Sequence, residues 1–202
     1  MKFMRHVDKV SLPGLLDSGD PDITELGKVQ ARVAGQFLVE YELGIVATSP
    51  SRRTLQTYDY AGLADIAPCR LISADFSELD AGTDAGRPIA EVFTPVVESA
   101  AIIAGLDLRI NPEAQTLAEV GELARAGIDR YRDDIGLIIT HGQTFKALVG
   151  VTCGLDRPAT LAVPFRNGEI VEFDPFNPEE PVSLFYPNDY IDPVTLEVTY
   201  PA

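Results

Sequence analysis

Residues 136–142 read GLIITHG, an apolar run that stops at a histidine followed by a glycine. Five residues, rich in Ile and β-branched character, are too short for a helix and match a strand buried on both faces, the kind a parallel sheet needs. The chain opens on a shorter version of the same pattern: KFM at 2–4, then Arg5 and His6. His6 and His141 are the only two histidines, and each stands where a strand ends.

Working outward, GIVAT (44–48) and RLISA (70–74) are further strand candidates. Between Thr24 and about Tyr41, Leu26, Val29, Val33 and Phe37 recur at helical spacing. Ser49-Pro50 reads as the cap and first position of a helix running to about Tyr60. Helices are also expected over 88–104, 113–134 and from Thr144 to Thr152, with a loop, FSELDAGTDAGRP, at 76–88. LAVPF (161–165) and EIVEF (169–173) look like a terminal pair of strands around Arg166-Asn167-Gly168. Strands alternating with helices predict a three-layer α/β/α sandwich with a mostly parallel central sheet. The length suits a single domain, 1–202. Residues 175–202 hold six of the 15 prolines, together with Phe176, Phe185, Tyr186, Tyr190 and Tyr200, and read as an irregular tail packed on that domain.

Thirty-one acidic against 16 basic residues leave a net charge of −15. Nucleic-acid binding needs a basic footprint, so that partner is not expected. No apolar run reaches the roughly 20 residues of a membrane span, and Lys2, Arg5, Asp8 and Lys9 interrupt any signal-peptide core. Only Cys69 and Cys153 are present, neither in a metal-binding pattern. The expectation is a cytoplasmic protein without disulfides, metal or other cofactor. Twelve of the basic residues are Arg, the side chain whose fixed fork grips phosphate or carboxylate.

In open α/β sheets ligands bind beyond the carboxyl ends of the strands. Parallel strands would bring Arg5-His6, Ser49–Arg53 and His141-Gly142 to one edge. Two imidazoles, two or more guanidiniums and a helix N-terminus there would suit a dianionic oxyanion, most simply a phosphoryl group.

The motifs resemble those of the histidine phosphatase superfamily, in its phosphoglycerate-mutase-like branch. MRHV (4–7) stands for the family's Arg-His-Gly, DPDITELGKVQA (20–31) for D-x-x-L-T-x-x-G-x-x-Q-A, and SPSRRTLQT (49–57) for S-P-x-x-R-A-x-Q-T. FSELDAG (76–82) corresponds to L-x-E-x-x-x-G and HGQ (141–143) to the second histidine's HGG. The resemblance implies a metal-independent phosphomonoesterase. His6 would be the nucleophile that becomes phosphohistidine, Arg5 and Arg53 the clamp on the phosphoryl oxygens, His141 a further hydrogen-bonding partner, and Glu78 the proton donor. Arg53, not Arg52, falls in the motif register. Gln143 would offer its backbone N–H, and Asp8, Lys9 and Arg87 are candidate substrate contacts. Val7 replaces the usual glycine, where a β-branched residue would be strained if φ were positive. A mutase of the same branch and a non-catalytic phospholigand- or partner-binding member are the alternatives, the latter resting on Val7. The expected substrate is a small phosphorylated metabolite, such as a sugar phosphate or nucleoside monophosphate, rather than a polyphosphate. Oligomeric state stays open, a homodimer among the options.

Overall fold

The computed structural model describes residues 1–16, 19–67 and 69–199. Its centre is a six-stranded sheet in the order β3-β2-β4-β1-β5-β6. The strands are β1 (Lys2–Arg5), β2 (Ile45–Thr48), β3 (Cys69–Ile72), β4 (Ile135–Thr140), β5 (Ile170–Glu172) and β6 (Val182–Phe185). Neighbours among β3, β2, β4 and β1 pair in parallel, whereas β5 runs antiparallel to both β1 and β6. The mostly parallel sheet inferred from the sequence is therefore present, with one reversed strand.

Alternation along the strands splits the core into two layers. Met4, Val46, Leu137 and Ile139 pack with Ala31, Ala34 and Leu38 of α1 (Glu25–Leu38) and Tyr58 of α2 (Arg52–Tyr60). Phe3, Ala47 and Ile138 pack with Ala124 and Ile128 of α6 (Leu117–Arg130) and Phe145, Leu148 and Val149 of α7 (Gly142–Cys153). Both sheet faces are thus covered, as a parallel sheet requires. The short α3 (Leu63–Ile66) follows α2, and α4 (Ile89–Val92) and α5 (Pro95–Ala104) precede α6.

Local chemistry sets the boundaries. Thr24 caps α1 by accepting from Gly27 N, and Thr116 and Glu119 form a reciprocal capping box on α6. The single helix expected over 88–104 is two, because Pro95 holds Thr94 in an extended conformation, and Thr94 then caps α5. The expected 113–134 helix starts only after Thr116 and ends at Arg130.

Two readings of the C-terminal part are corrected. LAVPF is not a strand: Asp156 caps α8 (Arg157–Ala162), which takes in its first two residues, and Val163 and Phe165 enter the core from loop. The partner of β5 comes instead from the supposedly irregular tail, as β6. Phe185 of β6 stacks on Phe37 at 4.5 Å and on Tyr190 at 5.2 Å between ring centroids, so the tail's aromatics anchor a sheet edge. Tyr200 lies outside the described residues. Among those residues, no helix is long and apolar enough to cross a membrane.

Candidate functional site

The parallel register sets Arg5 beside Thr140 and Thr48 beside Ile139, so the segments following β1, β2 and β4 leave the sheet at one edge. His6 and His141 do meet there: their ring centroids are 5.2 Å apart and both rings are buried.

His6 Nδ1 donates to the Val7 carbonyl at 2.8 Å. A carbonyl only accepts, so Nδ1 carries the proton and Nε2 keeps its lone pair. Burial pushes the His6 pKa well below the usual 6.5; the Val7 carbonyl works against this, while Arg5, Arg53 and Lys9 reinforce it. His141 is lowered in the same way, first by burial and then by His6, Arg53, Arg5 and Lys9. Two neutral imidazoles therefore face each other at neutral pH.

Arg53, in the first turn of α2, is only 4% exposed. Its Nε donates to His141 Nδ1 at 3.2 Å, and Nη1 lies 3.7 Å from Asp20 Oδ1. The opposite nitrogen, His141 Nε2, sits 2.7 Å from Ser49 Oγ in a knot of hydroxyls that includes Ser51 and Thr54. Arg52 turns outward to Asp22, so the side chain in the motif register is the one that reaches the histidines. The cap of α2 is two residues later than expected: Ser51 is the cap position, Arg52 N donates to the Asp20 carboxylate, and Ser49 serves His141 instead.

Arg5 Nη1 donates to the Phe165 carbonyl at 2.7 Å. Its guanidinium lies so close to the start of α7 that a Cβ on Gly142 would be 3.1 Å from Arg5 Cζ. Glu78 projects to the same place: its Oε1 accepts from Leu79 N at 3.1 Å and from Gln143 N at 3.2 Å. The Gln143 N–H is thus present at the edge, occupied by Glu78. The Gln143 side-chain Oε1 is buried and without a hydrogen-bond partner. Two cavities of about 500 Å³ each open here; Arg5 lines the first, Arg53 the second, and Glu78 both.

Val7 is not strained. Among the described residues Leu196 is the only non-glycine with positive φ. The Val7 side chain is fully buried in the core layer with Met4 and Ile23. Asp8 and Arg87 line neither cavity: Asp8 accepts from the Thr24 hydroxyl, and Arg87 pairs with Asp84 and Glu91.

Several positioning groups escaped the sequence reading. Asn167 Nδ2 donates to the carbonyls of His6 (3.1 Å) and Val7 (3.0 Å), and Gly168 N donates to that of Arg5 (3.1 Å). Thr57 Oγ1 accepts from Val7 N at 3.2 Å and donates to the Arg53 carbonyl at 2.7 Å. The Asn-Gly pair was visible as a turn, but its grip on the segment around His6, some 160 residues earlier, left no local signal. Among the described residues, no group of three or more His, Cys, Asp or Glu side chains is disposed to hold a metal ion.

A neutral buried imidazole with a free nitrogen, two guanidiniums, a helix N-terminus and a carboxylate can together bind a tetrahedral oxyanion and exchange a proton with it. The fold is shared with a mycobacterial glucosyl-3-phosphoglycerate phosphatase, at TM-score 0.72 and 16% identity over 92% of this chain and 97% of that one. It is shared equally with a phosphoserine phosphatase from Entamoeba histolytica solved with 3-phosphoglyceric acid, at TM-score 0.72 and 17% identity over 92% and 94%. Bacillus stearothermophilus YhfR matches at TM-score 0.69 and 20% identity over 86% and 90%. No curated protein is significantly similar in sequence. The model of the histidine phosphatase superfamily, branch 1, matches residues 11–186, and the chain belongs to that superfamily.

Proposed function

We propose that the protein is a phosphatase that hydrolyses a small phosphomonoester through a phosphohistidine on His6. The observation that carries this reading is the His6 Nδ1–H donated to Val7 O, which leaves Nε2 as an unprotonated nucleophile between Arg5 and Arg53. Family membership supports it, and so do the phosphatases that share the fold.

In this reading the phosphoryl oxygens are held by Arg5, by Arg53 and by His141, whose Nε2–H turns to them from Ser49 Oγ. Glu78 gives up the Gln143 N–H, which then binds a phosphoryl oxygen at the start of α7. Nε2 of His6 attacks phosphorus as the ester P–O bond breaks, and protonated Glu78 supplies a proton to the leaving oxygen. Water then attacks the phosphohistidine, Glu78 takes its proton, and the P–N bond pair returns to Nε2. Arginines and backbone N–H groups supply the positive charge in this reading, so no metal is assigned a step. The binding-only alternative loses its support with the unstrained, core-packed Val7, and no feature of the site favours a mutase.

The test is phosphate release from p-nitrophenyl phosphate in EDTA by wild type and His6→Ala. Hydrolysis that survives EDTA and vanishes in the variant is expected. Wild-type rates in a folded His6→Ala protein would refute the assignment.

A further inference from the structure

The cavity beside Arg5 contains more than phosphoryl transfer requires. One wall is apolar, formed by Leu16, Leu79, Ile89, Phe93 and Leu117. Set into the same lining are two cations the reaction does not use, Lys146 and Arg157. Lys146 lies one turn along α7 from Gly142, on the face that meets the Arg5 guanidinium. It donates to the Leu161 carbonyl at 2.7 Å and, among the described residues, no carboxylate forms a salt bridge with it. Arg157, the first residue of α8, is half-buried and has no hydrogen-bond or ion-pair partner among the described residues. In a chain of net charge −15 with 31 carboxylates, this is anomalous: the ordinary fate of a half-buried arginine is an Asp or Glu. Among the described residues, the lining carries Arg5, Lys146 and Arg157 against one carboxylate, Glu78. Burial lowers the pKa of both unused cations; nearby Arg5 adds to the effect on Lys146 and Glu78 opposes it. Among the described residues, the lining holds more cations than carboxylates out of water.

We propose that this cavity is the subsite for the organic part of the substrate, which is hydrophobic in its body and bears a second anion, a carboxylate, received by Lys146 and Arg157. The inference rests on the phosphatase reading for the orientation of the ligand, phosphoryl group at Arg5 and His6. A cavity of about 500 Å³ falls in the range that encloses an organic ligand well beyond bare phosphate. The apolar wall favours an aryl or alkyl body over a polyhydroxylated one, since buried hydroxyls there would lack partners. The buried, unpartnered Gln143 Oε1 in the same lining can accept one hydrogen bond from a ligand N–H or O–H. Carboxylate is favoured over a second phosphate because the protein's overall negative field penalises each added charge, while a planar arginine fork matches a carboxylate directly.

The test uses phosphonates, so that binding is measured independently of turnover. Methylphosphonate, benzylphosphonate and para-carboxybenzylphosphonate are titrated calorimetrically into wild type, Lys146→Gln, Arg157→Gln and Phe93→Ala, with thermal unfolding to verify folding. In wild type the benzyl group should add about 10-fold in affinity through the apolar wall, and the carboxylate a further 10-fold or more. The carboxylate's advantage should collapse to about 2-fold in Arg157→Gln and fall in Lys146→Gln, and the benzyl advantage should shrink in Phe93→Ala. Equal binding of the carboxylated and plain benzyl compounds by wild type, or an advantage retained in both cation variants, would overturn the subsite. So would tighter binding of a para-phosphono analogue, which would assign the cations to a second phosphate. Hydrolysis of phenyl phosphate and para-carboxyphenyl phosphate is assayed alongside: failure with both while the carboxylate preference is intact removes the phosphatase reading and leaves the cation subsite standing.

Discussion

Arg53 Nε donates to His141 Nδ1 at 3.2 Å, and because a guanidinium N–H can only donate, this contact fixes His141 as the Nε2–H tautomer. That proton then points to Ser49 Oγ, 2.7 Å away. One arginine thus sets both its own orientation and that of the second imidazole. Arg53→Lys keeps the charge and loses the fork. We expect kcat/KM on p-nitrophenyl phosphate to fall by about 10²-fold, and nitrogen NMR to show His141 in mixed tautomers. An unchanged tautomer with unchanged kcat/KM would mean that the contact is incidental.

Glu78 supplies the proton in the proposed reaction, so Glu78→Gln should reduce kcat by about 10²–10⁴-fold. Vanadate, which needs no leaving-group proton, should still bind within a few-fold of wild type. Loss of vanadate binding in parallel with kcat would reassign Glu78 to shaping the anion site.

Gly142 is small because Arg5 lies on it: an added Cβ comes within 3.1 Å of Arg5 Cζ. Gly142→Ala favours the helix by propensity while displacing the guanidinium. Urea denaturation should show stability unchanged to within about 1 kcal/mol, whereas kcat/KM should fall about 10-fold. A variant that loses stability and keeps its activity would contradict this separation.

Val7→Gly, the change that the family motif would suggest as a repair, should do harm. Val7 is fully buried, and deleting its side chain removes about 1.5–3 kcal/mol of burial and adds backbone freedom to the unfolded chain. Urea denaturation should show a loss of about 3 kcal/mol in stability, with no gain in activity. Higher activity in the variant would show that the side chain obstructs the site.

Both histidines have pKa values depressed in the folded protein, chiefly by burial. Between those values and the unfolded 6.5 the unfolded chain binds more protons, so stability rises with pH there. Their contribution is complete above pH 6.5 and is lost as pH falls from there through the folded values. From pH 7.5 to 5.5, wild type should lose about 2 kcal/mol more than a His6→Asn/His141→Asn variant. Equal losses would mean that the imidazoles titrate alike in the folded and unfolded chain, without the depression that burial imposes.

Much of this was legible in the sequence because it is written locally. GLIITHG and GIVAT announce buried parallel strands by composition, and a parallel sheet obliges the segments after them to share an edge. That obligation alone brings His6, Arg53 and His141 together. What escaped was written non-locally. LAVPF has the composition of a strand, yet Asp156 and Pro158 start a helix just ahead of it and Pro164 interrupts it. Residues 182–185 lie among prolines and became a strand because β5 presented an unpaired edge. Neither the Asn167 grip on His6 nor the unpaired state of Arg157 can be read from neighbours in the chain. Val7 misled for a different reason: the motif signals a backbone constraint, and the backbone here does not take the conformation that would impose it.

The turn at 165–168 has a consequence for how the protein matures. Arg5 and His6 receive hydrogen bonds from, or donate to, Phe165, Asn167 and Gly168, and β1 is flanked by β4 and β5. A ribosome adding about 5–20 residues per second reaches that turn about 10–30 s after polymerising His6. The nascent chain therefore carries Arg5 and His6 without these partners until the turn has been made, and the geometry around His6 can form only after that.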